Sequence, residues 1–164
     1  AFSGVNAKIF YAIKANFNPH IARTLQEAGL DGIDTVSVFE AKLALDIGFS
    51  SQQIIFTGSN PSTEDLHFCG KEEILVNAGS LSEVKRFGAI FPGKDIAIRL
   101  NPDIGAGEHK KIITGFHESK FGILPEDFVE LRELLKEHDL RLSGIHCHIG
   151  SGFYDADTFT KAVA

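Results

Sequence analysis

Methionine and tryptophan are both missing from these 164 residues, and cysteine occurs only twice. A chain without methionine does not open on a translation start, and this one stops at Ala164, just after Asp157-Thr158-Phe159, which reads as the opening of a helix. A piece of a longer protein is therefore expected. Cys69 and Cys147 lie far apart and in no ligand-like spacing, which excludes a disulfide framework and points to a reduced, cytoplasmic setting. No apolar run approaches the roughly 20 residues of a membrane span, and the N-terminus lacks the basic-then-apolar layout of a secretory signal. Positive charge is also scarce. Sixteen Lys and Arg against 22 Asp and Glu give a net charge of -6, which argues against nucleic acid or an acidic membrane as partner. No Gly-x-Gly-x-x-Gly follows a strand, and Gly105-Ala106-Gly107 lacks the third glycine, so a dinucleotide-binding sheet is disfavoured.

What is present is ordinary globular material, 43% hydrophobic and 23% charged, enough for one sizeable core. Apolar, β-branched runs at 9–13, 33–38, 54–57, 74–77, 96–100 and 142–149 predict strands. Between them lie helical stripes: Ile21, Leu25 and Ala28; Ala41, Leu43, Ala44 and Ile47; Leu81, Val84 and Phe87; Phe128, Leu131, Leu134 and Leu135. Strands alternating with helices, the first five at steps of roughly twenty residues, mean a parallel sheet of βα units. The units are not similar in sequence, and no linker divides them. One partial α/β barrel domain over residues 1–164 is expected. The longest irregular stretch, from Asn101 to about Pro125, is of the kind that carries function.

The strand ends carry the chemistry. Lys14 follows Ile9, Phe10, Tyr11, Ala12 and Ile13 and precedes the turn-forming Asn16, Asn18 and Pro19. An amine held against apolar walls has its charged form disfavoured, which favours nucleophilic use. A strand-end lysine that reaches out to water is the bland alternative. Alternation puts Lys14, Arg99, and His146 with His148 on the faces opposite the apolar residues of their strands. Asp34, Thr57 and Asn77 add polar groups near the ends of the second, third and fourth strands, where a βα barrel builds its active site. Arg99 requires an anion, and either a ligand oxygen or Asp34 meets that need. His146-Cys147-His148 offers two ligands on one strand face, too few for zinc without a third from elsewhere. Gly150-Ser151-Gly152 presents backbone N–H groups and a hydroxyl suited to a phosphate oxygen, although a plain strand-to-helix turn explains the glycines equally well. By composition Lys120 is a solvated loop charge.

Together these motifs resemble a known family. Tyr11-Ala12-Ile13-Lys14-Ala15-Asn16 is similar to the pyridoxal-phosphate lysine motif of the alanine-racemase-like barrel enzymes, and His146-Cys147-His148-Ile149-Gly150-Ser151-Gly152 to their ring-stacking and phosphate-contacting strand. Ile98-Arg99-Leu100-Asn101-Pro102, Thr114-Gly115 and Glu118-Ser119-Lys120-Phe121-Gly122-Ile123 resemble the diaminopimelate branch of the group IV decarboxylases, and Asp34-Thr35-Val36-Ser37 with Glu40 and Ile54-Ile55-Phe56-Thr57-Gly58 fit too. The likeness covers essentially the whole chain. One departure is Ser37-Val38-Phe39-Glu40, bulkier than the Ser-Gly-Gly-Glu usual there.

The resemblance implies an incomplete (β/α)8 barrel of the alanine-racemase type, about six of eight units, without the family's C-terminal β domain. It implies pyridoxal 5'-phosphate as cofactor, while no metal is expected from the ligand count given above. Lys14 would bind the cofactor's aldehyde and return a proton to the product carbon. His148 would stack on the ring with His146 in support, Ser151 and Gly152 would meet the phosphate, Arg99 would sit near the phenolic oxygen, and Asp34 would support the lysine and ring. Lys120 would lie toward the partner subunit of a homodimer. The implied reaction is decarboxylation of meso-2,6-diaminopimelate to L-lysine. Alternatives are a related decarboxylase of ornithine, arginine or carboxynorspermidine, a racemase on the same barrel, and a non-catalytic pyridoxal-phosphate carrier. The family's phosphate-binding glycine loop, pyridine-nitrogen acid and substrate-carboxylate arginine fall beyond Ala164, as do its C-terminal cysteine and tyrosine. About six strands cannot close an eight-stranded barrel, so the isolated chain is expected to be poorly soluble or inactive.

Overall fold

The computed structural model describes residues 4, 6–102, 121–150, 157 and 160, so Lys120, Ser151 and Gly152, together with most of the long connection, lie outside the described residues. The chain forms two compact units, Ala1–Val76 and Asn77–Ala164.

The first unit runs β1 (Phe10–Ala12), a 3₁₀ turn (Ile13–Ala15), α1 (Pro19–Glu27), β2 (Gly32–Thr35), α2 (Val38–Ile47), a second 3₁₀ turn (Ser51–Gln53), β3 (Ile54–Phe56) and α3 (Thr63–Lys71), then enters β4 (Leu75–Ala78). Its pairings are parallel and follow chain order: Ala12 is in register with Asp34, Asp34 with Ile55, and Phe56 with Val76. Parallel neighbours require a crossover on each step, which is why a helix stands between every two strands. Ile13, Ala22, Ile33, Ala41, Ala44, Ile54, Phe56, Leu66 and Val76 form the buried core. Each large member contributes about 1.5–3 kcal/mol by leaving water. Cys69 lies in the same core. Burial, with Asp65 beside it, pushes its thiol up to about 12, so it behaves as a small apolar residue.

The second unit continues from Asn77 and Ala78 of β4 through α4 (Leu81–Ile90), β5 (Asp95–Leu100), a 3₁₀ turn (Pro125–Asp127), α5 (Phe128–Glu137) and β6 (Arg141–Cys147). β4, β5 and β6 are again parallel in chain order, with Ile98 opposite Ile145, Arg99 opposite His146 and Leu100 opposite Cys147. Val84, Phe87, Ile96, Ile98 and Ile123 are its buried centre.

Helix starts are set by side chains. Ser37, Ser62 and Ser80 each accept the N–H of the residue three positions on, at 3.3, 3.1 and 3.3 Å. Glu40 and Glu83 are buried, yet both carboxylates accept backbone N–H groups at 2.7 Å, from Val36 and Gly79, so neither is left without a partner.

Several expected boundaries move. The second strand stops at Thr35, because Ser37 caps a helix that begins at Val38. The first strand stops at Ala12, where the backbone turns into the 3₁₀ segment. The helix at Thr63–Lys71 carries no stripe among those read above, and the Ser62-x-x-Asp65 capping box is the signal that would have found it. Ile145, an apolar residue of the run read as the sixth strand, is 66% exposed. Among the described residues no helix is long and apolar enough to cross a membrane.

Candidate active site

Lys14 occupies the middle of the 3₁₀ turn that follows β1. Strand alternation has ended before it, so the face assigned to it by period-two counting does not apply. The turn is anchored at Ile13, which is fully buried, and closed by Asn16 N–H donating to the Ile13 carbonyl at 3.0 Å. Tyr11 Oη donates to the Asn16 carbonyl at 3.2 Å. Among the described residues Lys14 is exposed, so they do not supply the expected apolar walls around the amine. What the fold supplies is position: a primary amine at the C-terminal end of β1.

Asp34 lies on the neighbouring strand, half-buried, two positions beyond Gly32 in β2. Thr57 Oγ1 donates to its Oδ1 at 2.7 Å, and Thr57 N–H donates to the Thr35 carbonyl at 2.7 Å. The hydroxyl is thus fixed from the backbone and fixes the carboxylate in turn. Both residues had been read as polar strand ends, but their pairing was not foreseen. It depends on β2 and β3 lying side by side with Asp34 opposite Ile55.

In the second unit Arg99 and His146 are brought together as register partners across β5 and β6. The Arg99 guanidinium carbon sits 4.8 Å from the centroid of the Phe121 ring, a cation–π distance. That contact exists because the chain returns to β5 at the end of the long connection. Ile123 N–H donates to the Arg99 carbonyl at 2.8 Å, and Asn101 N–H to the Ile123 carbonyl at 2.9 Å. Gly122 makes the return possible. Its φ is +87°, and a Cβ there would stand 2.7 Å from the Asn101 nitrogen. Phe121 was quoted above only as part of a motif. The Lys120-Phe121-Gly122-Ile123 spelling, with a glycine directly after an aromatic residue, was the available hint.

His146 is half-buried in β6, while His148 is exposed just past the strand end, followed by buried Ile149 and Gly150. Asn77 is buried in β4, in register with Ala97. Among the described residues no three His, Cys, Asp or Glu side chains gather as a metal-ligand set.

The first unit offers a primary amine and a hydroxyl-fixed carboxylate, and the second a guanidinium beside an imidazole. The family profile described as "Pyridoxal-dependent decarboxylase, pyridoxal binding domain" matches residues 1–164. The chain belongs to the pyridoxal-dependent decarboxylase family. Diaminopimelate decarboxylase of Methanothermobacter thermautotrophicus is 40% identical over 166 residues, covering 99% of this chain and 39% of that protein. The Escherichia coli K12 diaminopimelate decarboxylase is 37% identical, covering 87% of this chain and 34% of its own length. Among solved structures, Helicobacter pylori diaminopimelate decarboxylase complexed with L-lysine superposes with a TM-score of 0.91 at 33% identity, covering 98% of this chain and 42% of that one. The chain thus spans between about a third and two fifths of the length of these relatives. The arginine decarboxylase of Paramecium bursaria Chlorella virus, at 23% identity and a TM-score of 0.83, shares the fold. The architecture is that of the alanine-racemase-like barrel decarboxylases, with parallel strands followed by helices in both units.

Proposed function

We propose that the protein carrying this chain is a diaminopimelate decarboxylase, an amino-acid carboxy-lyase that converts meso-2,6-diaminopimelate to L-lysine with pyridoxal 5'-phosphate. The observation that carries this reading is the family match over all 164 residues, joined to relatives named diaminopimelate decarboxylase at 33–41% identity. When bound, pyridoxal phosphate supplies the electron sink that lets the α-carboxylate leave as carbon dioxide.

The chain's own residues take the following parts in this reading. Lys14 would hold the cofactor through its aldehyde and would supply the amine that moves a proton at the product carbon. Asp34, oriented by Thr57 Oγ1, holds negative charge beside the lysine and the ring. Arg99, its guanidinium carbon 4.8 Å from the Phe121 ring centroid, would offer N–H donors to the phenolic oxygen. His148 would supply a flat ring for the cofactor to stack on, with His146 supporting it, and Ser151 and Gly152 would meet the phosphate oxygens. A cytoplasmic homodimer with Lys120 toward the partner subunit belongs to the same reading, supported by the family resemblance and by cysteine usage.

The test is carbon dioxide release from a panel of meso-diaminopimelate, ornithine, arginine and carboxynorspermidine, using the protein that carries this chain. Release from meso-diaminopimelate with L-lysine as product is expected, and Lys14→Ala abolishes both turnover and the visible absorbance of the bound cofactor. Preference for another member of the panel overturns the substrate, and retention of turnover and absorbance in Lys14→Ala overturns the role of the lysine.

A further inference from the structure

The hydrogen bonds that shape the segment bearing Lys14 are local. Asn16 N–H reaches Ile13, Tyr11 Oη reaches Asn16, Asn18 N–H reaches Asn16 Oδ1 at 3.0 Å, and His20 N–H reaches Asn18 Oδ1 at 2.9 Å. Bonds of this kind give a segment its shape. The turn also packs against β2, and a ring contact ties the segment to the start of α2. The ring of Phe17 meets the ring of Phe39 edge-to-face, with centroids 6.4 Å apart and planes at 82°, the geometry in which the positive edge of one ring faces the negative face of the other.

The two rings stand on unlike supports. Phe39 is in the first turn of α2, whose start is held by Ser37 and by the buried Glu40 carboxylate, and whose Ala41 and Ala44 are fully buried. Phe17 lies in the stretch between the 3₁₀ turn and α1, three residues from Lys14. Among the described residues the rings are 59% and 66% exposed, so within this chain core burial is not what holds them.

We propose that Phe39 is a positioning residue for Lys14: through Phe17 it ties the turn carrying the amine to the rigid start of α2. This rests on Lys14 being the residue that binds pyridoxal phosphate. The contact limits how far the turn can swing about its buried Ile13 anchor, and thereby keeps the exposed amine at the end of β1.

Two measurements on the protein that carries this chain test it, with Phe39→Ala, Phe17→Ala, the double variant and Phe39→Tyr. The first is amide hydrogen exchange across residues 14–17 before cofactor is added. The second is the rate at which added pyridoxal phosphate becomes attached at Lys14, trapped by borohydride reduction and located by mass spectrometry. Each alanine variant is expected to exchange about two- to tenfold faster and to load more slowly by a similar factor, the range an aromatic pair supplies. The double variant behaves like either single one, and Phe39→Tyr, which keeps the ring, behaves like the parent. Exchange and loading within twofold of the parent in Phe39→Ala overturn the proposal. So do single effects that multiply in the double variant, or faster exchange with unchanged loading. A parent protein that traps no pyridoxal phosphate at Lys14 overturns the functional reading and this proposal with it, whereas a labelled parent with unaffected variants overturns this proposal alone.

Discussion

In the first unit Asp34 is fixed by a hydroxyl at the end of the adjacent strand, at 2.7 Å, whereas in the second Arg99 is fixed by an aromatic ring at the far end of a long connection. The difference follows from connection length. Only Val36 and Ser37 separate β2 from α2, so the backbone has little freedom there, and polar side chains on neighbouring strands meet because the parallel register places them together. After β5 the chain must travel and come back, and the return is secured by a parallel bridge between Leu100 and Ile123 and by a glycine that admits close backbone approach. Short connections position chemistry through caps and strand register. The long one positions it through a returning segment.

The comparison can be broken at several levels. The largest effects should be equal in the two units, because their cores are alike. Phe56→Ala and Phe87→Ala each remove a side chain that is 2% exposed and should each cost about 3–5 kcal/mol in denaturant unfolding. A much smaller loss in one unit would mean that its core is not what holds it. Next comes the return segment. Gly122→Ala combines a positive φ with a backbone approach of 2.7 Å and should cost about 3 kcal/mol. Gly48→Ala, at φ +113° with open space around the added carbon, should cost only about 1 kcal/mol by the same melts. Equal losses would show that the close approach at Gly122 does not matter.

Thr57→Val removes the donor to Asp34 while keeping the shape of the side chain. It should lower stability by about 2 kcal/mol, in the range of a hydrogen bond to a carboxylate. Phe121→Leu, which deletes the ring under Arg99, should cost about 1 kcal/mol, and a double-mutant cycle with Arg99→Lys would isolate the stacking. If the cycle closes with no coupling, the ring does not fix the arginine. The smallest effects are the caps. Ser37→Ala and Ser80→Ala should each cost about 0.5–1 kcal/mol and match one another, since both accept at 3.3 Å beside a buried glutamate. A clear inequality in thermal midpoints would separate two caps that look the same.

Much of this was legible from local pattern. The apolar runs located the six strands found among the described residues, because strands of a parallel sheet read as nearly continuous β-branched runs. Lys14, Arg99 and His146 were singled out because an ionisable group in or beside such a run is costly without a use. Other features were misread for physical reasons. Val38 continues an apolar run, and only the Ser37 cap, with the Glu40 carboxylate accepting from Val36 N–H, turns it into the first residue of a helix. Alternation was carried through Lys14 as though the strand continued, but the backbone had already tightened into a 3₁₀ turn at Ile13. Ile145 has a core residue's chemistry and stands 66% exposed, since a side chain is buried only when some other element covers it.

By itself the sequence determined the order of strands and helices, the serine caps that start them, and the presence of an amine, a carboxylate, a guanidinium and two imidazoles at or near strand ends. These depend on residues within a few positions of one another, and short-range sterics and hydrogen bonding suffice to set them. Tertiary structure alone decided the partners: Asp34 with Thr57, Arg99 beside His146 and over Phe121, Phe17 against Phe39. Each pair joins residues on different elements. Which side chains meet is set by parallel register and by how each helix packs back on its strand, and both follow from burying the apolar core as a whole.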